Sequence, residues 1–235
     1  MEVSQAFAAS DVQVIFNRIA PVYDDLNQQL SLGLHQVWKA MAIRWSGAAS
    51  GQICLDVCCG SGDLAIMLAR RVGPKGRVYG IDFAPEQLAI ARLRSQPSGR
   101  AAAVTWCLGD ALDLPFADAS FDAITMGYGL RNLANMGQGL RELRRVLKPG
   151  AIAAILDFHR PQSNMVQQWQ QWYLNHIVVP AARQRGLTQE YAYITPSLDR
   201  FPQGPEQIEL ARQAGFCRVR HYPIAAGMMG VLVMS

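Results

Sequence analysis

Leu55-Asp56-Val57-Cys58-Cys59-Gly60-Ser61-Gly62-Asp63 decides how this chain is read. A short apolar run, Ile53–Val57, turns through small residues with two glycines spaced Gly-x-Gly and enters an apolar-periodic helix, Leu64–Val72. Gly60 and Gly62 carry no Cβ, so the backbone there can press against a ligand. Strand, glycine turn and helix in that order open a nucleotide-binding α/β unit. A dinucleotide fingerprint would reserve one more small position, which here holds Ala65, so that pattern matches loosely. That fingerprint seats a pyrophosphate on the helix N-terminus and has no need of an acid such as Asp56 ahead of the turn.

Outward from the turn, strands and helices alternate. Arg77–Ile81 reads as the second strand, and Pro85 stands near the start of a helix over Glu86–Ser95. Ala102–Leu108 and Phe121–Met126 are the third and fourth strands. A helix over Leu140–Leu147 stops at Lys148-Pro149-Gly150, and Ala151–Leu156 is the fifth strand. Such alternation predicts a mostly parallel, doubly wound sheet with helices on both faces. A helix over Glu206–Ala214 and strands Cys217–Tyr222 and Val231–Met234 then close a seven-stranded sheet with an antiparallel hairpin. Residues 11–46 read as two helices interrupted around Asn27–Gly33, and residues 161–204 as a helix rich in Trp and Gln plus an irregular stretch, Pro196–Pro205. One domain results: an N-terminal helical cap over 1–50, a cofactor-binding core over 51–160, a substrate-side cap insertion over 161–204, and the final helix and hairpin over 205–235. Both caps are expected over the carboxyl edge of the sheet, where open α/β folds bind ligands.

Composition narrows the function classes. Half of the 235 residues are hydrophobic and 17% are charged, which supplies a large core and argues against disorder. The net charge of +4 is spread along the chain, with no basic run of the kind that marks a nucleic-acid arm. Such a surface fits an acidic substrate or anionic lipid headgroups equally well. The five cysteines form neither a disulfide framework nor the paired CxxC spacing of a zinc site, and no metal is expected. Cys58-Cys59 reads as a small-residue turn. No positive segment followed by an apolar stretch opens the chain, and no apolar run approaches the roughly 20 residues that span a bilayer. The expectation is a cytoplasmic protein with reduced thiols, with a peripheral contact to a thylakoid or plasma membrane left open.

Three acids stand at three successive strand ends: Asp56, Asp82 and Asp110, the last in Leu108-Gly109-Asp110-Ala111. S-adenosylmethionine lacks a pyrophosphate but carries a sulfonium and an ammonium. Asp56 suits a cation, Asp82 can accept both ribose hydroxyls, and Asp110 is placed for the adenine amine. Phe83, Ala111, Ser61 and Gly127 complete the expected cofactor surface. A dehydrogenase, or acids acting only as helix caps, is the alternative.

Asp-Val-Cys-Cys-Gly-Ser-Gly-Asp, the acid of Gly80-Ile81-Asp82-Phe83-Ala84, Gly109–Phe116, Phe121–Thr125 and Leu140–Gly150 resemble, in order, the motifs of class I methyltransferases, whose fold is Rossmann-like. Tyr23-Asp24-x-x-Asn27-x-x-x-Ser31-x-Gly33-x-His35-x-x-Trp38 resembles the N-terminal signature of the menaquinone/ubiquinone C-methyltransferase family. Arg145–Gly150 resembles its second signature, and Gly129-Leu130-Arg131-Asn132 its substrate-side loop. The resemblance covers nearly the whole chain. Asp157-Phe158-His159 stands where that family's quinone enzymes usually carry Glu-x-Ser, Gln36 replaces an Arg, Leu26 replaces a Met, and Ser197–Gly204 differs from their usual sequence. These departures look more like the branch of photosynthetic organisms that methylates 2-phytyl-1,4-naphthoquinone. A demethylmenaquinol or benzoquinol methyltransferase, and a non-catalytic cofactor-binding or assembly protein, are the alternatives.

The resemblance implies methylation of a ring carbon of a reduced, lipophilic prenylated quinol. A quinone carbon is electrophilic, so the acceptor is the quinol, and the site needs a base or donors that stabilise its oxyanion. Arg131 and Asn132 are assigned to orienting the ring oxygen, with a structural ion pair as the alternative for Arg131. His35 and His159 are candidate bases, or satisfied structural histidines. Tyr23 and Asp24 are expected to shape the cofactor pocket or to cap and pack a helix. Met165, Trp169, Trp172, Tyr173 and His176 recur at helical spacing, either as core or as an apolar wall for a prenyl tail or a membrane surface.

Overall fold

The computed structural model describes residues 12–20, 28, 31, 33–95, 99–184, 187 and 194–235. Seven strands, β1 Ile53–Val57, β2 Arg77–Asp82, β3 Ala103–Leu108, β4 Phe121–Gly127, β5 Leu147–Phe158, β6 Val219–Ile224 and β7 Met229–Met234, form one sheet. Its order is β3-β2-β1-β4-β5-β7-β6. The first five are parallel, and β7 runs antiparallel to both β5 and β6. The chain steps outward from β1 through β2 to β3 and then crosses back to β4 on the other side of β1, so the sheet has its switch point at β1 and β4. A crevice opens there at the strands' carboxyl ends.

Alternation along each central strand feeds two cores. Leu55 and Val57 of β1, with Ile124 and Met126 of β4, face a cluster completed by Leu140, Leu143 and Val146 of helix α4 (Met136–Val146) and by Phe216. Cys54 and Ala123 point to the other face, against Leu64, Leu68 and Val72 of α2 (Asp63–Val72) and Ile43 of α1 (Leu34–Trp45). Each fully buried leucine contributes on the order of 2 kcal/mol of hydrophobic stabilisation. α3 (Pro85–Arg94) connects β2 to β3. Beyond β5 come α5 (Asn164–Tyr173), a π-helical turn at Leu174–Val178, α6 (Val179–Arg183), α7 (Ile194–Arg200) and α8 (Gly204–Gln213). Residues 12–20 are also helical.

Two local expectations need correction. β5 begins at Leu147, inside the Lys148-Pro149-Gly150 stop. Proline has no N–H to give a ladder, and the strand accommodates it in an irregularity where Phe121 faces Leu147 but Ala123 faces Ile152. Gly150 there has φ 76°, and Lys148 Nζ reaches Asp122 at 2.7 Å. The stretch 196–205 is only partly irregular: 196–200 belong to α7 and 204–205 open α8, with 201–203 joining them. Pro196 sits in the first turn of α7 and Pro205 in the first turn of α8, where a missing N–H costs nothing.

Candidate functional site

The carboxyl ends of β1 to β4 surround a cavity whose geometry is set by the turn after β1. Cys58 at φ 54°, Gly60 at φ 53° and Gly62 at φ 90° carry the chain through left-handed backbone. A Cβ on Gly62 would lie 2.5 Å from the Trp106 indole, and one on Gly80 would lie 2.6 Å from it, so both glycines are required by the same ring. Trp106 is fixed in turn by its Nε1 donating to Ser95 Oγ at 2.9 Å. Burial pushes the Cys58 and Cys59 thiols well above the ordinary range, so they are protonated packing groups.

Asp82 ties the turn to β2. Its two oxygens accept from the Gly60 amide at 2.8 Å and the Ala84 amide at 2.9 Å. Burial nevertheless raises its pKa, against those amides. A carboxylate oxygen accepts more than one hydrogen bond, so Asp82 can hold the loop and a ligand hydroxyl together. Asp56 is fully buried. Thr125 Oγ1 donates to its Oδ1 at 2.8 Å, while Oδ2 has no partner among the described residues. Burial raises its pKa to about 7, opposed by Thr125, the Ala65 amide and Lys39. A buried acceptor with nothing to accept from is costly unless a ligand completes it.

Asp110 lies at the cavity edge, its Oδ1 accepting from the Leu112 amide at 2.9 Å, with Phe83, Ala111 and Gly127 lining the same space. The loop behind it is anchored from α4. Glu142 accepts from the Leu114 amide at 2.8 Å, and Arg145 donates to the carbonyls of Leu114 and Phe116 while pairing with Glu142. Residues of a signature stretch thus act by holding the Asp110 loop.

Beyond β4, Tyr128 adopts φ 60°, a strained conformation for a residue with a Cβ. Its carbonyl accepts from Arg131 Nη1 at 2.9 Å and Asn132 Nδ2 at 2.8 Å. Gly129 has no room for a Cβ, which would lie 2.7 Å from that of Cys58. Arg131 is paired with Asp157 at 2.9 Å, both side chains being almost wholly buried, and it covers the Phe158 ring. The structural pairing weighed above is therefore what the guanidinium does, and Asn132, not Arg131, lines the cavity. Asn132 Oδ1 is buried without a partner among the described residues.

Both imidazole nitrogens of His35 are engaged, by Ser31 Oγ at 2.7 Å and Gln36 Nε2 at 2.9 Å, and the ring does not line the cavity. His159 is buried across β5. Its Nε2 meets Gln207 and the His221 Nε2, each at 2.9 Å, and burial lowers both imidazoles to a pKa of about 4. Tyr23 and Asp24 lie outside the described residues.

Sequence reading missed Lys39 and Arg94. Lys39 of α1 reaches across to pair with Asp63 within the cavity wall. Arg94 pairs with the same carboxylate and donates to Ser61 Oγ at 2.9 Å. Burial would raise Asp63, but the two cations hold it below its ordinary value. Only the spacing of distant charges could have signalled this cluster, and many spacings would serve.

The donor set fits S-adenosylmethionine: an unpartnered buried carboxylate oxygen for a cation, a second carboxylate at the end of β2 for hydroxyls, and a glycine cradle filled by no Cβ. Among the described residues no cluster of three potential metal ligands occurs. The profile of the ubiE/COQ5 methyltransferase family matches residues 4–233. A 2-phytyl-1,4-naphtoquinone methyltransferase of Nostoc punctiforme is 62% identical over 226 residues, 96% of this chain and 98% of that protein. The chloroplastic 2-phytyl-1,4-beta-naphthoquinone methyltransferase of Arabidopsis thaliana is 47% identical over 227 residues, 96% of this chain and 87% of that protein. Among solved structures, a SAM-dependent methyltransferase from Aquifex aeolicus shares the fold with a TM-score of 0.62 at 21% identity, covering 97% of this chain and 98% of that one.

Proposed function

The chain belongs to the ubiE/COQ5 methyltransferase family, and from that premise we propose that it methylates a ring carbon of reduced 2-phytyl-1,4-naphthoquinone, giving phylloquinol in phylloquinone biosynthesis. It is an S-adenosylmethionine-dependent methyltransferase by family and fold. What carries the substrate is the 62% identity with the Nostoc punctiforme enzyme over nearly both whole chains.

Bound in the cavity, S-adenosylmethionine supplies an electrophilic methyl group on a sulfonium. Asp56 and Asp82 hold its cationic and ribose ends, and Asp110 and Ala111 border the adenine. The residues' remaining task is to orient the quinol and to accept charge from its hydroxyl. Asn132 Oδ1, buried at the cavity wall and without a partner among the described residues, accepts a hydrogen bond from a quinol hydroxyl and so raises electron density on the ring. Arg131 acts through the turn: anchored on Asp157, it shares the Tyr128 carbonyl with Asn132 and fixes where that amide points. His35, with both nitrogens engaged, serves structure.

A C20-tailed quinol must come from a lipid phase. No helix among the described residues is long and apolar enough to cross a membrane. α5 and the π-turn after it instead expose Met165, Trp169, Trp172 and Ile177, and α5 carries no charged residue. Indoles on such a face favour the headgroup boundary, and this face is proposed to rest on the membrane surface from which the quinol enters.

The test is methyl transfer from labelled S-adenosylmethionine to 2-phytyl-1,4-naphthoquinone, demethylmenaquinone and a demethyl-benzoquinone in detergent, each chemically reduced or kept oxidised. The reduced phytyl naphthoquinone should be the preferred acceptor and every oxidised ring inert. Equal rates on oxidised and reduced ring would overturn the quinol chemistry, and preference for the benzoquinol would overturn the substrate.

A further inference from the structure

Four carboxylates line the cavity, Asp56, Asp63, Asp82 and Asp110, and among its described lining residues there is one cation, Lys39. An acidic cavity suits a sulfonium and an ammonium but repels the α-carboxylate that S-adenosylmethionine also carries. We propose that Lys39 holds that carboxylate, with Asp63 as its positioning partner; this rests on the cofactor reading above.

The geometry is that of a built site. Lys39 Nζ is buried, its side chain only 5% exposed, although lysine is almost never fully buried without a reason. It comes from α1, outside the strand-turn-helix unit that forms the rest of the cofactor surface. Asp63 takes one of its three N–H donors, and no other hydrogen-bond acceptor for Nζ occurs among the described residues. The Tyr128 ring lies 5.9 Å from Nζ and attracts the ammonium without occupying a donor. Asp63 keeps a second cation beside it, because Arg94 pairs with its other oxygen. That second pairing leaves the lysine free to turn a donor toward a ligand. Asp56, whose Oδ2 is unpartnered, stands near enough for Lys39 to lower its pKa. One cation and one anion thus border the same part of the cavity, the arrangement that a zwitterionic amino-acid end requires. The contact reads a group shared by donor and demethylated product, so Lys39 sets affinity for both and does not discriminate between them.

Titration calorimetry with two ligands on two proteins tests this. S-adenosylmethionine and its decarboxylated analogue, which keeps adenosine, sulfonium and ammonium, are each bound to the wild type and to Lys39→Met. The wild type should bind the intact cofactor at least about tenfold more tightly than the analogue, and Lys39→Met should lose about tenfold for the cofactor, as expected for one charge-assisted hydrogen bond. The analogue should bind both proteins alike, and Lys39→Arg should restore most of the affinity. Equal losses for both ligands in Lys39→Met would make Lys39 a structural partner of Asp63 only, and an unchanged cofactor affinity would place the carboxylate elsewhere; either result overturns the proposal. If the wild type binds neither ligand, the cofactor reading itself is what fails. Arg94 remains on Asp63 in the variant, so a native melting temperature is expected and separates loss of fold from loss of contact.

Discussion

Asp56 Oδ2 has no partner among the described residues, and burial raises this carboxyl to a pKa of about 7. The sign of the consequence is fixed. A folded pKa raised from 3.8 to about 7 means that the neutral form stabilises the fold below about pH 4 and that this contribution is lost as pH rises through 7. A cationic ligand prefers the ionised form, so affinity for S-adenosylmethionine should climb from pH 5.5 to 7 by up to about tenfold per unit and then level off. Asp56→Asn should flatten that profile and weaken binding, yet melt higher than the wild type at pH 8 without ligand, because a buried charge has been removed. A wild-type profile flat across pH 5.5–7 would refute the role. Arg131 is the opposite case. Deleting it strands Asp157 in the interior, where burial already raises that carboxyl despite the guanidinium. Arg131→Ala should therefore cost about 3–5 kcal/mol in denaturant unfolding and lose rate together with stability. Asn132→Ala should lose rate at nearly wild-type stability and cofactor affinity, on the order of tenfold for one neutral hydrogen bond accepted from the quinol hydroxyl. An Asn132→Ala protein of near wild-type rate would remove it from the substrate side.

At the scale of elements, what the sequence made legible depended on whether the deciding interaction was local. β1, its glycine turn and α2 were readable because strand apolarity, φ > 0 at glycine and helical periodicity all act within a few residues. α7 was missed because its seven residues are too few to show a period and include Pro196, although proline in a first turn is tolerated. The early start of β5 was missed because pairing with β4 and the Lys148–Asp122 contact, both distant in sequence, extend the strand through a proline. The acids of the site were found by their place at strand ends, whereas Arg131 went to Asp157, a partner 26 residues away. α5 shows the same limit: its aromatic spacing was plain, but only the fold settles that Trp169 and Trp172 are each half exposed. Replacing both by serine should reduce co-sedimentation with vesicles containing anionic lipid several-fold, since each indole carries roughly 200 Å² of surface to bury. Melting temperature and cofactor affinity should not move. Unchanged vesicle binding would detach this face from the membrane.

For the molecule as a whole, the cavity is bordered by two segments that precede the nucleotide-binding unit in the chain. Phe16, from the helical stretch 12–20, lines it, and that stretch is tied to β2 and α3 by hydrogen bonds. Gln13 donates to the Phe83 carbonyl, Gln87 donates to the Phe16 carbonyl at 3.1 Å, and Asn17 Oδ1 accepts from the Glu86 amide at 3.3 Å. α1 is tied to α2 through Lys39 and Asp63. α1 also packs Ala42 and Ile43 into the apolar core, whereas the hydrogen bonds above join residues 12–20 to the cofactor side of the sheet. A ligand that touches both Phe16 and Lys39 should order them at its own cost in affinity, and binding at about 100 times Kd adds roughly 2.7 kcal/mol to the folded state. Hydrogen exchange with and without S-adenosylhomocysteine reads this directly. Amides of residues 12–20 and of α1 should be slowed at least as much as those of the Gly60–Gly62 turn, while β6 and β7, far across the sheet, change little. Slowing confined to the glycine turn would mean that the N-terminal segments stand over the cavity without responding to what it holds, and the cap would then serve the quinol side alone.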